Sequence, residues 1–161
     1  MTGLKDRALR MLARAVLAFV CVFVCGGIAA ARDVALVTSK NSQVKVVKAA
    51  DLAKMFKTTH KWLDGNDLTV VLTDPSSLEM RIVAEKLLSL TSDEFKKLMD
   101  AANKARVTFL VVSSDDEALR ILQSNKSAIG LVNVYSINSN VGVLKIDGKL
   151  PLEPGYILHS Q

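Results

Sequence analysis

Residues 68–90 read LTVVLTDPSSLEMRIVAEKLLSL, and this stretch decides the fold. Its first five residues are aliphatic or β-branched almost without interruption, which is typical of a strand buried on both faces. Asp74-Pro75 ends the strand, because proline has no N–H to donate to a neighbouring strand. Ser76, with Glu79 three positions later, predicts a capping box that opens a helix at Ser77. The stretch therefore predicts a buried strand that runs through a tight polar turn into a helix.

The predicted helix has one apolar face, because Met80, Val83, Leu87 and Leu90 follow each other at spacings of three and four. A strand that leads into a capped helix presents N–H groups and the positive end of the helix dipole beyond the strand's carboxyl end. α/β proteins often hold a small ligand in that crevice. Many strand-turn-helix units bind nothing, however, so a ligand site and a purely structural turn both remain open.

The first 31 residues have the pattern of a secretory signal peptide. Four basic residues come first, followed by an uncharged apolar run at 15–28 and by three alanines suited to cleavage at 29–31. We expect cleavage after Ala31 and export to the periplasm or the exterior. An uncleaved membrane anchor is the alternative, since the uncharged run reaches the short limit for a spanning helix.

Removal of residues 1–31 would change both the charge and the cysteine content. The whole chain has 21 basic and 16 acidic residues and a net charge of +5. Without the four basic residues and one acidic residue of the leader, 17 basic and 15 acidic residues remain, a net charge of +2. This small excess gives no electrostatic reason to expect nucleic acid as a partner. Cys21 and Cys25 both lie in the leader, so the mature chain has no thiol or disulfide and suits an oxidising compartment.

Residues 32–161 are sufficient for one domain with a single core. They predict further strands at 34–38, 107–112 and 128–132, helices at 50–56, 91–104 and 114–125, and a terminal hairpin around Asp147-Gly148. Strands that alternate with helices predict an α/β fold, and the late hairpin favours a mixed sheet. The fold class is therefore a single mixed-sheet lobe with helices on both faces.

Several single residues carry expectations of their own. Capping boxes recur at Thr91 with Glu94 and at Ser114 with Glu117. Gly130, inside a strand, predicts the close approach of another backbone or of a ligand. The tryptophan at position 62 is expected to close the core beneath an Asp-Gly turn.

The sequence offers little for catalysis. Its two histidines, His60 and His159, are far apart in the chain, and nothing predicts a nucleophile next to a base or a cluster of metal ligands. The acidic run at 115–117 falls in the first turn of a helix, where carboxylates favour the dipole. We therefore expect neither an enzyme nor a metal site, and we expect no cofactor.

The order of these pieces resembles the periplasmic phosphate-binding proteins of ABC transporters, in the type II periplasmic binding protein superfamily. Residues 51–57, DLAKMFK, and 61–65, KWLDG, are similar to a helix and a Trp-x-Asp turn of that family. The likeness continues through the strand at 70–72 into the serine-bearing turn, and it ends at AIGLV, residues 128–132. It covers nearly the whole mature chain and implies a fold like that of these binding proteins.

The resemblance also implies a place for the ligand. Full-length members close two lobes on it, whereas this chain has room for one, so a second lobe or a homodimer partner would have to cover the mouth. In the family an arginine follows the strand and Ser-Gly-Thr opens the helix. Here Thr73 and then residues 76–79, SSLE, stand at those positions, so Ser77 is the residue that carries over.

The candidate ligand-binding residues are those of this turn and the one nearby cation. They are Thr73, Ser76, Ser77, Leu78 and Arg81. Arg81 is about 6 Å along the helix axis from Ser77 and could replace the family's arginine, since helical side chains lean toward the N-terminus. Pairing of Arg81 with Glu85 is the alternative.

Two functions follow from these residues. The first is an exported, non-catalytic, solute-binding-like domain that weakly binds a small phosphate-like anion at the helix N-terminus, with a membrane transporter as an open partner. The second is an interaction or scaffold module of the cell envelope that has kept the fold and lost the ligand. The carboxylates of Asp74 and Glu79 beside the turn favour the second.

Overall fold

The computed structural model describes residues 32–59, Lys61, 67–104 and 108–159. The expected signal peptide at 1–31 lies outside the described residues, as do His60 and the tryptophan at position 62, so those expectations stay untested. In the described part of the chain, no helix is both long and apolar enough to cross a membrane.

The domain is built on a mixed five-stranded sheet with the strand order β4-β3-β5-β1-β6. Its strands are β1 (Val34–Ser39), β3 (Thr69–Leu72), β4 (Thr108–Val111), β5 (Ala128–Asn133) and β6 (Val141–Val143). β3 is parallel to β4 and β5, whereas β1 is antiparallel to β5 and β6. A separate parallel pair joins β2 (Val46–Val47) to β7 (Lys145–Ile146).

Helices cover both faces of the sheet, which confirms the predicted fold class. They are α1 (Ala49–Lys54), α2 (Leu78–Ile82), α3 (Ser92–Lys104) and α4 (Asp115–Ser124), and π-helical segments extend α1 over Met55–Thr59 and α2 over Val83–Leu87. Val70 and Leu72 of β3 pack in one apolar cluster with α1, α2 and α3, while Val71 packs in the other with α4. Each central strand is therefore buried on both sides, as its unbroken apolar sequence indicates.

The capping residue of α2 is Ser77, one position later than predicted. The hydroxyl of Ser77 accepts a hydrogen bond from Met80 N at 3.2 Å. Ser76 instead lies in the turn before the helix, where its N–H donates at 2.8 Å to the carboxylate of Asp74. This Asx turn, with Pro75 inside it, uses one more residue before the helix can begin.

Of the other two predicted capping boxes, the one at Thr91 forms completely and the one at Ser114 forms in part. At α3, Thr91 N donates to the Glu94 carboxylate at 2.8 Å and Glu94 N donates to the Thr91 hydroxyl at 3.3 Å, so both halves are present. At α4, Glu117 N donates to the Ser114 hydroxyl, but the Glu117 carboxylate accepts from Ser113 N at 2.9 Å. In the box at Ser114, the glutamate carboxylate therefore accepts from the residue before the cap and not from the cap residue itself.

Gly130 is approached by a side chain, which corrects the expectation of a backbone or a ligand. A Cβ added at Gly130 would lie 2.5 Å from Cδ1 of Leu122 and 3.3 Å from Cγ2 of Val37. The missing side chain lets α4 lie directly on β5.

The predicted terminal hairpin forms only in part. Asp147 and Gly148 do form a tight turn, with φ of 50° and 81°. Beyond that turn, however, residues 149–159 form no second strand, and Lys149 makes an isolated bridge with Ile146. Pro151 and Pro154 cannot donate to a ladder, and the chain instead folds back through turns until Leu158 O accepts from Val34 N at 3.1 Å.

Candidate functional site

A cleft of about 490 Å³ opens at the carboxyl ends of β3 and β5. Its lining residues come from four places: the end of β3, α2, the start of α4, and β5 with the 3₁₀ turn after it. They are Thr73, Glu79, Asp115, Leu131, Asn133, Tyr135 and Ser136. Because β3, β4 and β5 are parallel, their carboxyl ends meet at one edge of the sheet, where α/β folds commonly bind ligands.

The wall after β5 is held by side-chain hydrogen bonds. The Asp115 carboxylate accepts from Asn133 N at 3.1 Å and from the Ser136 hydroxyl at 2.7 Å. The side-chain oxygen of Asn133 accepts from Tyr135 N at 3.0 Å and caps the 3₁₀ turn Val134–Ser136. Tyr135 is 72% exposed at the rim of the cleft. These bonds tie the start of α4 to the end of β5 and fix the shape of the wall.

Thr73 is the one predicted site residue that lines the cleft. The hydroxyl of Ser77 is used to cap α2, and Arg81 Nη2 lies 4.0 Å from the Glu85 carboxylate, the alternative pairing considered for it. Ser76 and Leu78 lie exposed on the turn outside the cleft lining. Of the five predicted residues, Thr73 therefore belongs to the lining of this cleft and the other four lie outside that lining.

The N–H groups of the turn are largely engaged by the chain itself. Ser76 N donates to the Asp74 side chain, and Ser77 N donates to Asp74 O at 2.9 Å. Met80 N donates to the Ser77 hydroxyl, and Arg81 N donates to Ser77 O at 3.1 Å. An oxyanion needs N–H donors, so this turn is poorer for anion binding than the sequence suggests.

The charged groups at the cleft are two carboxylates and one guanidinium. Glu79 and Asp115 belong to the lining, and Nη1 of Arg32 lies 3.6 Å from Oε1 of Glu79. Arg32 thus neutralises one of the two negative charges at the rim. Within the described residues, no group of three or more histidine, cysteine, aspartate or glutamate side chains could hold a metal ion.

Most of the lining residues were not among those predicted from the sequence, although the sequence contains a signal for two of them. Asp115 follows β4 and Asn133 ends β5, so the convergence of parallel strands at their carboxyl ends would have pointed to both. Arg32 carries no such signal. It reaches the cleft because β1 runs antiparallel to β5, and no local pattern in the sequence records that pairing.

No protein-family model matches the sequence, and no curated protein matches it. Solved structures do match in fold. A protein from Clostridium perfringens, assigned as a phosphate ABC transporter substrate-binding protein and solved with bound phosphate, has a TM-score of 0.65 and 18% identity. An ABC-type phosphate transport receptor from Vibrio cholerae has a TM-score of 0.60 and 19% identity, and PstS from Borrelia burgdorferi has 0.62 and 16%.

The three structures share this fold over about half of their own length. They match 80%, 80% and 81% of this chain, but the match covers 53%, 54% and 55% of theirs. The chain therefore resembles about one half of such a phosphate-binding protein, which confirms the resemblance seen in the sequence. At this level of identity the likeness establishes the fold.

Proposed function

We propose that the mature chain is an exported, non-catalytic, solute-binding-like domain whose cleft weakly binds a small oxyanion. The observation that carries this proposal is the position of the cleft at the carboxyl ends of β3 and β5. The fold is that of phosphate-binding proteins, one of which was solved with bound phosphate. The proposed binding residues are Thr73, whose hydroxyl can donate to an oxyanion, and two residues of the opposite wall, Asn133 through its side-chain amide N–H and Tyr135 through its hydroxyl.

Two features make the proposed binding weak. Glu79 and Asp115 place carboxylates in the lining, and these repel an anion. The chain also spans about half the length of the structures it matches, so a single copy leaves its ligand exposed to water. A second lobe or a second copy of the chain would be needed to enclose the ligand. A membrane transporter would then receive the ligand from the domain.

The rival function is an interaction module of the cell envelope that has lost ligand binding. It is favoured by the internal use of donors at the turn, since the N–H groups of Ser76, Ser77 and Met80 are already bonded within the chain. The Arg81–Glu85 pair supports it too, because it directs the expected cation away from the cleft.

Thermal unfolding of the domain with and without oxyanions distinguishes the two functions. A ligand that binds the folded state alone stabilises it by about 2.7 kcal/mol at a hundredfold excess over Kd. We expect phosphate or sulfate at millimolar concentration to raise the unfolding temperature above that in chloride of equal ionic strength. No rise with either anion would contradict oxyanion binding and favour the interaction module.

Two variants locate the binding to the cleft. Thr73→Val removes a hydroxyl from the lining and Tyr135→Ala removes the exposed ring at the rim, so both should reduce the stabilisation by phosphate. Leu152→Ala is the control, because Leu152 is also an exposed large side chain but lies outside the cleft lining. If Leu152→Ala reduced the stabilisation as much as the two cleft variants, the binding would have to be elsewhere.

A further inference from the structure

We infer that Arg32 is an anion-binding residue of the cleft and that removal of the signal peptide completes the site by adding the charge of the Arg32 α-amino group. The inference rests on the proposed function and names the source of positive charge that the cleft lining lacks. It also makes ligand binding depend on processing of the precursor.

The position of Arg32 follows from the pairing of β1. Val34 is opposite Asn133 in the antiparallel β1–β5 pair, so β1 begins at the edge where β5 ends. Asp33 O accepts a hydrogen bond at 3.0 Å from Val134 N, the residue between the two lining residues Asn133 and Tyr135. Residues 32 and 33 therefore lie beside the wall of the cleft.

The Arg32 side chain reaches the opposite wall. Its Nη1 is 3.6 Å from Oε1 of Glu79, a lining residue, and the side chain remains 51% exposed. A guanidinium presents five N–H donors in a planar fork, a geometry that fits the oxygens of an oxyanion. Arg81, the cation expected from the sequence, is paired with Glu85 instead.

The charge at the cleft depends on where the chain begins. Glu79 and Asp115 contribute two negative charges, and the Arg32 guanidinium offsets one of them. In the precursor, the nitrogen of Arg32 is part of a neutral peptide bond to Ala31. After cleavage it is an α-amine, whose ordinary pKa of about 7.7–8.0 leaves it mostly protonated at pH 7. Processing therefore adds one positive charge at residue 32, next to Asp33, whose carbonyl is bonded to the wall of the cleft.

Calorimetric titration with inorganic phosphate tests the inference on two forms of the domain. One form begins at Arg32, and the other carries Ala29-Ala30-Ala31 in front of it, which moves the amine about 10 Å along the chain. We expect the Kd for phosphate to be roughly threefold higher, or more, in the extended form. A change of this size is typical of one interaction between exposed charges. The difference should shrink at high salt, because salt screens exposed charges.

Arg32→Gln in the form that begins at residue 32 tests the guanidinium, and Arg120→Gln, on an exposed part of α4 outside the cleft lining, is its matched control. We expect weaker binding in the first and unchanged binding in the second. Equal affinities in the native and extended forms, or unchanged affinity in Arg32→Gln, would overturn the inference and leave the proposed function standing. Failure of every form to bind phosphate would overturn both.

Discussion

Nδ1 of His159 lies 2.7 Å from the carboxylate of Asp33, so one contact joins the two ends of the described domain. Asp33 is buried and His159 is half-exposed. The same segment is held by the bond from Val34 N to Leu158 O and by a bond from the Lys86 ammonium to His159 O. These contacts explain why the C-terminal chain packs against β1.

His159→Ala should lower the free energy of unfolding by about 1–3 kcal/mol, because it removes a hydrogen-bonding partner from a buried carboxylate. Urea denaturation at pH 7 measures the change. His159→Asn is the matched control, since its side-chain N–H can take the place of Nδ1–H, and it should recover part of the loss. A loss of equal size in both variants would show that the ring's packing matters and its hydrogen bond does not.

Ser77→Ala should destabilise the domain by about 1 kcal/mol, because it removes the side-chain acceptor for Met80 N at the start of α2. Ser76→Ala is the control. Its N–H remains bonded to Asp74, so its effect should stay within about 0.5 kcal/mol. Chemical denaturation measures the free energy of unfolding of both variants. A larger loss in Ser76→Ala than in Ser77→Ala would indicate that Ser76 is the cap, as the sequence predicted.

Gly130→Ala should cost about 1–3 kcal/mol, because its new Cβ would lie 2.5 Å from Cδ1 of the fully buried Leu122. Gly142→Ala, also in a strand, is the control, since its Cβ would meet its first neighbour at 3.4 Å. Combining Gly130→Ala with Leu122→Val should cost less than the sum of the two single changes, because the shorter side chain makes room. Additive losses in this double-mutant cycle would argue against the contact.

The stability of the domain should fall in acid partly through Glu94 and Glu117. Hydrogen bonds from the backbone N–H and hydroxyl of Thr91 hold the pKa of Glu94 below its usual 4.5, and Ser113 lowers the pKa of Glu117 in the same way. A carboxyl whose pKa is lowered on folding contributes fully above its unfolded pKa, and this contribution is lost as the pH falls through the lowered value. The effect therefore belongs to the range below about pH 4.5.

Replacing both glutamates by glutamine should flatten this part of the pH dependence of unfolding. Thermal unfolding of the wild type and of Glu94→Gln/Glu117→Gln between about pH 3 and pH 6 measures the difference. Because the largest cause is hydrogen bonding and not the charge of nearby lysines, the difference should persist in about 0.5 M salt. Parallel curves for the two proteins would exclude the proposed contribution.

Local periodicity was sufficient to predict most elements of the sheet and its helices. The apolar run at 69–72 and the apolar face that contains Met80 and Val83 are buried as expected, since burial of one face imposes its spacing on the sequence. The cap of α2 was missed by one residue. Glu79, three positions after Ser76, favoured Ser76 as the cap, whereas in the structure Ser76 N is bonded to the Asp74 side chain and Ser77 caps the helix.

The cleft was predictable in its location but not in its composition. The end of β3 does open into it, and Thr73 lines it, because the carboxyl ends of parallel strands converge. Which other residues lie near that space depends in part on contacts between distant parts of the chain. Arg32 is placed beside it by the antiparallel pairing of β1 with β5, which does not follow from the residues around Arg32.

The last prediction concerns export of the chain and cleavage of its leader before Arg32. Expressed with its leader, the chain should be recovered from the exported fraction with Arg32 as its first residue, because Ala29 and Ala31 occupy the small-residue positions of an A-x-A cleavage site. N-terminal sequencing and intact mass measure this.

Ala31→Asp should block cleavage and leave a precursor heavier by the whole leader. Ala30→Asp is the matched control, since the middle position of the A-x-A pattern tolerates other residues. Cleavage at an earlier bond would move the α-amine away from residue 32, and the processed protein should then bind phosphate like the form extended by three alanines. An affinity equal to that of the form that begins at Arg32 would show that the charge of the new amino terminus does not serve the site.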